Sequence, residues 1–213
     1  MRMRRKKHRD DRLENCSDII IRDILGYADD IKAVFSDCEK PLHMEIGCGK
    51  GKFITEMAKR HPDIHFIAFE KNLDVAVLAV EKAKAEGLKN VKFVPGNADL
   101  LREIHSISKC DRIYINFCDP WSKVRYAKRR LTHANYLSVW KNLLADKGEL
   151  HFKTDNRDLF AFSLNSFCDF GLRLKNISLN LHESGWEDNI MTEYETMFAE
   201  QGNPIYRCEV IFE

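Results

Sequence analysis

Short apolar runs alternate along this chain with longer stretches in which apolar residues recur at helical spacing. The runs near 41–46, 64–69, 91–94 and 112–117 are too short for helices and are closed by Gly, Pro, Asn, Asp or Glu, which predicts four strands. Between them, Leu73 to Glu86 carries Ala, Val and Leu on a helical period among Lys and Glu, and Gly87 stops it. Helices are also predicted over about 51–60, ending near His61-Pro62, and over 133–145 and 157–169, with a strand at Glu149 to Lys153. Leu172 to Leu181 and Ile205 to Phe212 alternate well enough to form a final antiparallel pair. Residues 18–35 mix Ile, Leu, Tyr and Phe with acids at near-helical spacing and predict a packed helix or turn. Strands alternating with helices imply an α/β fold, a mostly parallel sheet with helices on both faces. No repeat, low-complexity tract or linker divides it, so a single domain over 1–213 is expected, with 1–17 a basic N-terminal arm, either disordered or ordered.

Composition narrows the class. With 213 residues, 44% hydrophobic and 31% charged, the chain can bury one sizeable core. No apolar run approaches the roughly 18 residues of a membrane span, and the basic N-terminus lacks the apolar segment of a signal peptide, so a cytoplasmic protein without a membrane partner is expected. Its seven cysteines are odd in number, scattered and never spaced Cys-x-x-Cys, which favours buried free thiols over disulfides or structural zinc; no metal is expected. A net charge of only +1 does not mark the whole molecule as a polyanion binder, and attention shifts to local clusters. One comprises Arg2, Arg4, Arg5, Lys6, Lys7, His8 and Arg9, either a solvated terminus or an arm that meets phosphates. The other, Lys123, Arg125, Lys128, Arg129 and Arg130, lies inside the domain beside a candidate site loop.

The chemistry gathers at the ends of the predicted strands. Pro41 to Gly51 passes from an apolar run holding Glu45 into Gly47, Gly49 and Gly51, the outline of a strand, tight turn and helix whose backbone can approach a ligand. Glu70 follows the second strand about 20 residues on, where a carboxylate accepts ribose hydroxyls. Asn97 and Asp99 follow the third, able to meet an adenine edge or simply to cap a turn. Asp119 follows the fourth. In a doubly wound sheet these positions are expected to share one cleft. Glu45 is an acid within a strand and needs a pair or a cation. A sulfonium ligand with an ammonium group supplies one, whereas a dinucleotide brings repelling phosphates. Gly-x-Gly-x-Gly also lacks the spacing and Lys-Ser/Thr ending of a P-loop.

Glu45-Ile-Gly-Cys-Gly-Lys-Gly51 resembles the loop of many class I S-adenosylmethionine-dependent methyltransferases. Asp119-Pro-Trp-Ser-Lys-Val-Arg-Tyr-Ala-Lys-Arg-Arg-Leu131, Phe152-Lys-Thr-Asp-Asn156 and Thr192-Glu-Tyr-Glu195 followed by Gly202-Asn-Pro-Ile205 are more specific. Together, from about Glu45 to Arg207, they resemble the bacterial tRNA (guanine-N7-)-methyltransferase family, from which the chain departs at Ser122, usually proline, and Tyr126, usually histidine. The resemblance implies a Rossmann-like methyltransferase sheet of seven strands, mostly parallel with a C-terminal antiparallel strand. It implies that Glu45, Gly47, Gly49, Gly51, Glu70, Asn97 and Asp119 line the S-adenosyl-L-methionine site, which is left holding S-adenosyl-L-homocysteine. It implies that Lys123, Asp155, Thr192, Glu193, Tyr194 and Glu195 contact substrate and that Arg125, Lys128, Arg129 and Arg130 meet tRNA. The target it implies is guanosine 46 of the variable loop, and the protein would act as a monomer or homodimer.

These roles make chemical sense. Guanine N7 carries an in-plane lone pair that is free at neutral pH, so no general base is required. Alignment and exclusion of water do the work, worth about 7 to 11 kcal/mol in favourable cases. A carboxylate, Asp119, favours the cationic product, while its alternative role is to cap the Asp-Pro-Trp turn. Asp155 or Glu193 can accept from guanine N1–H and N2–H₂, and Trp121 or Tyr194 can stack on the exposed base. Arginines and lysines at 123–130 suit phosphates. An NAD-dependent oxidoreductase, a noncatalytic tRNA-binding protein of the same fold, and an amino-methyltransferase using Asp119-Pro-Trp are the alternatives.

Overall fold

Residues 6–213 are described by the computed structural model, so Arg2, Arg4 and Arg5 lie outside the described residues. The chain forms two compact units, Met1–Lys109 and Cys110–Glu213. In the first, Arg9–Glu14 is a helix (α1). Arg12 donates Nε and Nη2 to the two carboxylate oxygens of Glu81 at 2.6 Å each, and Lys6 donates its amide to Asp74 Oδ1 at 2.8 Å. Bidentate guanidinium pairing of this kind fixes orientation as well as contact. The 18–35 stretch forms three short 3-10 segments, Ser17–Ile19, Leu25–Tyr27 and Ile31–Val34. Asp23 accepts from the Leu25 and Gly26 amides and Asp30 from the Lys32 amide, local bonds that compete with a continuous helix.

Three strands follow, Leu42–Ile46 (β1), His65–Phe69 (β2) and Val91–Val94 (β3), separated by helices Lys52–Arg60 (α2) and Leu73–Ala85 (α3). β1 and β2 are buried at all five positions, the mark of parallel strands covered on both faces. They pair in parallel with Ile46 beside Phe69, and β2 pairs with β3 with Phe69 beside Val94. The Ile21 amide donates to Phe93 O at 2.8 Å, which occupies one backbone acceptor on the outer edge of β3.

The second unit holds Cys110–Asn116 (β4), Ala134–Leu143 (α4), Leu144–Thr154 (β5), Arg157–Asp169 (α5), Arg173–Ser178 (β6), Glu193–Ala199 (α6) and Tyr206–Ile211 (β7). β5 runs parallel to β4, with Asn116 beside Lys153, and antiparallel to β7, which is also antiparallel to β6. Within the first unit the strands bond in the order β3-β2-β1, and within the second in the order β4-β5-β7-β6. Trp140 of α4 is wholly buried, and its Nε1 donates to Leu131 O at 2.8 Å. Asn156 caps α5 by accepting from the Leu159 amide at 2.8 Å. One face of this part of the sheet is charged: Glu149 meets Arg112, His151 and Lys175, while Glu209 pairs with Arg207 and Lys175. Among the described residues, no helix is long and apolar enough to cross a membrane.

Candidate functional site

In the first unit the glycine loop passes through three residues of positive φ and is held by backbone bonds to the end of β2. Gly47, Gly49 and Gly51 have φ of 85°, 58° and 83°. The amides of Gly47 and Cys48 both donate to Phe69 O, at 2.8 and 2.9 Å, so the loop folds over the end of β2. A Cβ on Gly51 would sit 2.7 Å from Cβ of Ala79, so this glycine lets α2 start against α3; at Gly47 and Gly49 nothing lies within 4 Å of the Cβ position, leaving backbone open to a ligand. Glu70 follows β2 directly. Its Oε2 accepts from the Gly49 amide at 3.0 Å and its Oε1 from the Asn72 amide at 2.8 Å. One half-buried carboxylate thus ties the loop to the start of α3 and, with about four acceptor sites, retains capacity for a diol. Glu45 is 1% exposed in β1, beside Ala68 of β2. Asn97, exposed after β3, accepts from the Asp99 amide at 3.4 Å and donates Nδ2 to Asp99 Oδ2 at 2.8 Å, so the turn chemistry allowed for in the sequence is realised here. Glu45, Glu70 and Asn97 therefore occupy the same end of three neighbouring parallel strands.

The second unit brings together a different set. β4 ends in Phe117, whose φ is 54° and whose amide donates to Lys153 O at 2.9 Å; the chain then turns through Cys118, Asp119 and Pro120 into Trp121, with φ of 43°. Asp155 follows β5, and burial pushes its carboxyl above the usual aspartate range, a backbone hydrogen bond partly offsetting the shift. The Tyr194 ring packs on Phe117 and Phe198, with centroids 5.3 and 4.5 Å away. Its phenol is pushed up by burial first and then by the negative charges of nearby Asp155 and Asp119. Asp119, Asp155 and Tyr194 thus lie close enough for their charges to be felt. Thr192 caps α6, its Oγ1 accepting from the Glu195 amide at 2.9 Å, and Glu193 is half-buried in the first turn.

Beside Asp119, the segment Val124–Arg129 is an exposed 3-10 turn. The guanidinium of Arg129 lies 4.9 Å from the rings of both Trp121 and Tyr126, and that of Arg125 lies 4.8 Å from Tyr126. Tyr126, a departure from the pattern the chain resembles, thus supplies a face for two cations. Lys123, Arg125, Lys128 and Arg129 are exposed.

Two expected contact residues are engaged within the protein. Arg130 donates Nε to Pro120 O at 3.0 Å and Nη2 to Trp121 O at 3.1 Å, and its guanidinium lies over Phe162, so it shapes the Asp119 turn in place of an exposed phosphate grip. Glu195 is wholly buried, accepting from Lys153 Nζ at 2.7 Å and from Asn189 Nδ2 at 2.6 Å, which closes it to substrate. Lys153 and Phe117 figured in the sequence only as strand ends, Lys153 also inside the Phe152–Asn156 motif, with no site role given to either; the spacing Thr192-x-x-Glu195 is a capping signature and marks the start of α6. Among the described residues, Glu149, His151 and Glu209 bring ligand atoms within 4.8 Å, but the surrounding Arg112, Lys175 and Arg207 already neutralise both carboxylates.

A family described as "Putative methyltransferase" matches residues 39–208. A tRNA (guanine-N(7)-)-methyltransferase of Macrococcus caseolyticus is 47% identical over 212 residues, covering 100% of both chains. That of Bacillus subtilis is 46% identical over 210 residues, covering 99% of this chain and 98% of its own. Among solved structures, the 16S rRNA methyltransferase KamB aligns with a TM-score of 0.59 at 13% identity, over 84% of this chain and 94% of that one. Precorrin-6y C5,15-methyltransferase from Geobacter metallireducens aligns with a TM-score of 0.56 at 16% identity, over 95% and 88%. At such identities the structures speak for the methyltransferase fold alone. With near-half identity along its whole length, a glycine loop tied by Glu70, and Asp119, Asp155 and Tyr194 gathered after β4 and β5, the chain belongs to the tRNA (guanine-N(7)-)-methyltransferase family.

Proposed function

We propose that the protein transfers a methyl group from S-adenosylmethionine to N7 of a guanosine in tRNA, at position 46 of the variable loop. The observation that carries this reading is the grouping of two carboxylates, Asp119 and Asp155, with the stacked Tyr194, next to an exposed turn of cations and aromatic rings. That set suits a purine with hydrogen-bond donors on one edge, growing positive charge and a polyanionic backbone.

The first unit fits the methyl donor. Open backbone at Gly47 and Gly49 admits the amino-acid portion, Glu70 has spare lone pairs for the ribose hydroxyls, the Asn97 amide offers an adenine contact, and buried Glu45 suits a cationic ligand. Bound there, S-adenosylmethionine supplies an electrophilic methyl group. In the second unit, Asp155 or Glu193 accepts from guanine N1–H and N2–H₂, and adenine, lacking that donor pair, leaves the carboxylate unpaired and is rejected. Tyr194, stiffened by Phe117 and Phe198, stacks on the base. Asp119 stabilises the charge that develops on the purine as N7 loses its lone pair to the new bond. Lys123, Arg125, Lys128 and Arg129 hold phosphates.

The test is incubation with unmodified tRNA and labelled S-adenosylmethionine, followed by borohydride reduction and aniline cleavage. Scission at one variable-loop guanosine is expected. Label incorporated without scission there would overturn the assignment of atom or site, and no incorporation alongside tight tRNA binding would favour a noncatalytic binder.

A further inference from the structure

We propose that Lys153 is a positioning residue for the guanosine site, a single side chain and carbonyl that hold the Asp119 turn and the Thr192–Tyr194 segment in mutual register. The inference rests on the functional reading above.

Lys153 lies on β5, two residues before Asp155, and only 7% of its side chain is exposed. A buried ammonium is tolerated only when its three N–H groups find acceptors. Here they reach Glu195 Oε2 at 2.7 Å, Asn189 Oδ1 at 3.1 Å and Ile190 O at 3.1 Å. All three acceptors belong to the segment that leads into and begins α6. Glu195 in turn accepts from Asn189 Nδ2 at 2.6 Å and has His182 Nε2 3.4 Å away, while its own amide is held by Thr192 Oγ1. In a usual capping box the third-position glutamate reaches back to the capping residue's amide. Glu195 keeps the amide half of that motif and directs its carboxylate to the strand, converting a local cap into a tether between α6 and β5.

The other end of Lys153 acts on the other wall. Its carbonyl accepts from the Phe117 amide at 2.9 Å, at the left-handed residue that turns the chain toward Asp119. The Phe117 ring then packs on Tyr194, one residue before Glu195. A loop therefore closes through Lys153, Phe117, Tyr194 and Glu195, and Asp119, Asp155 and Tyr194 are placed by it. Lys153 touches none of the chemistry itself and acts through the residues it holds.

Lys153→Met removes the three side-chain bonds and leaves the backbone bond in place. The expected result is faster amide exchange over residues 189–199, a single-turnover methyl-transfer rate lower by about 100-fold, as a shift of about 1 Å suffices to cause, and affinities for tRNA and S-adenosylhomocysteine within about twofold of the parent. Parental exchange over 189–199, or a parental methylation rate despite faster exchange, overturns the proposal. Should Lys153→Met fail to fold because Glu195 is left as an unpaired buried charge, the double variant K153M/E195M, which carries none, takes its place with the same expected outcomes. If the parent itself does not methylate tRNA, the functional reading falls, while the exchange comparison still decides whether Lys153 holds the segment.

Discussion

Replacing Gly51 by alanine separates two costs that a glycine loop carries together. At Gly51 the backbone has φ of 83°, and a Cβ would stand 2.7 Å from Cβ and 2.9 Å from Cα of Ala79. The left-handed conformation costs an alanine about 1 to 2 kcal/mol. The contact adds about 1 to 3 kcal/mol of overpacking, because helix backbone and not a flexible side chain has to give way. Gly47 has nearly the same φ, 85°, with nothing within 4 Å of its Cβ position, so Gly47→Ala carries the first cost alone. Gly51→Ala is therefore expected to be less stable than Gly47→Ala by about 1 to 3 kcal/mol. In urea unfolding followed by far-ultraviolet circular dichroism, with a slope of roughly 2 kcal/mol per molar, the two midpoints should differ by about 0.5 to 1.5 M. Coincident midpoints would refute the claim that close approach to Ala79, and not backbone conformation, is what Gly51 serves.

Glu70→Gln turns one carboxylate oxygen, now accepting from the Gly49 or Asn72 amide, into a donor facing a donor; S-adenosylhomocysteine should bind about 10- to 100-fold more weakly by calorimetry, and unchanged affinity would remove Glu70 from the cofactor site. Arg129→Ala should weaken tRNA binding for all sequences alike and reduce the slope of log affinity against log salt by about one; an unchanged slope means that Arg129 meets no phosphate. Glu149, hydrogen-bonded to His151 and Lys175 and close to Arg112, is held well below its ordinary 4.5. A depressed carboxyl stabilises the fold above its unfolded value and loses that contribution as pH falls through the folded one. Glu149→Gln should accordingly lag the parent in urea midpoint from neutral pH down to about 4.5, the gap narrowing below it; a gap constant from pH 7 to 3 contradicts the linkage.

Sequence alone determined whatever depends on neighbours along the chain. Val91–Val94 and Arg157–Asp169 stand where hydrophobic periodicity and their flanking Asn, Gly and Pro residues put them, and the alternation of elements sufficed for a parallel sheet. The glycine loop and the acids after the strands were legible because β-strand ends and tight turns are local events. The short helix α1 was hidden, since a single apolar residue, Leu13, among five charged ones sets no apolar period; it is held where Arg12 meets Glu81, 69 positions away. The longer β5, which starts at Leu144, likewise depends on Cys110 as partner, a pairing that no local pattern encodes. Only tertiary structure could sort the charges. Arg129 and Arg130 are adjacent and identical in type, yet one is left exposed over two rings and the other is bound to the carbonyls of Pro120 and Trp121. Glu193 and Glu195 divide in the same way, because two residues, about half a helical turn, send them to different faces and only one meets a buried ammonium. A charged side chain's role follows from which partner can offset its desolvation, and that partner is chosen by packing between segments distant in sequence.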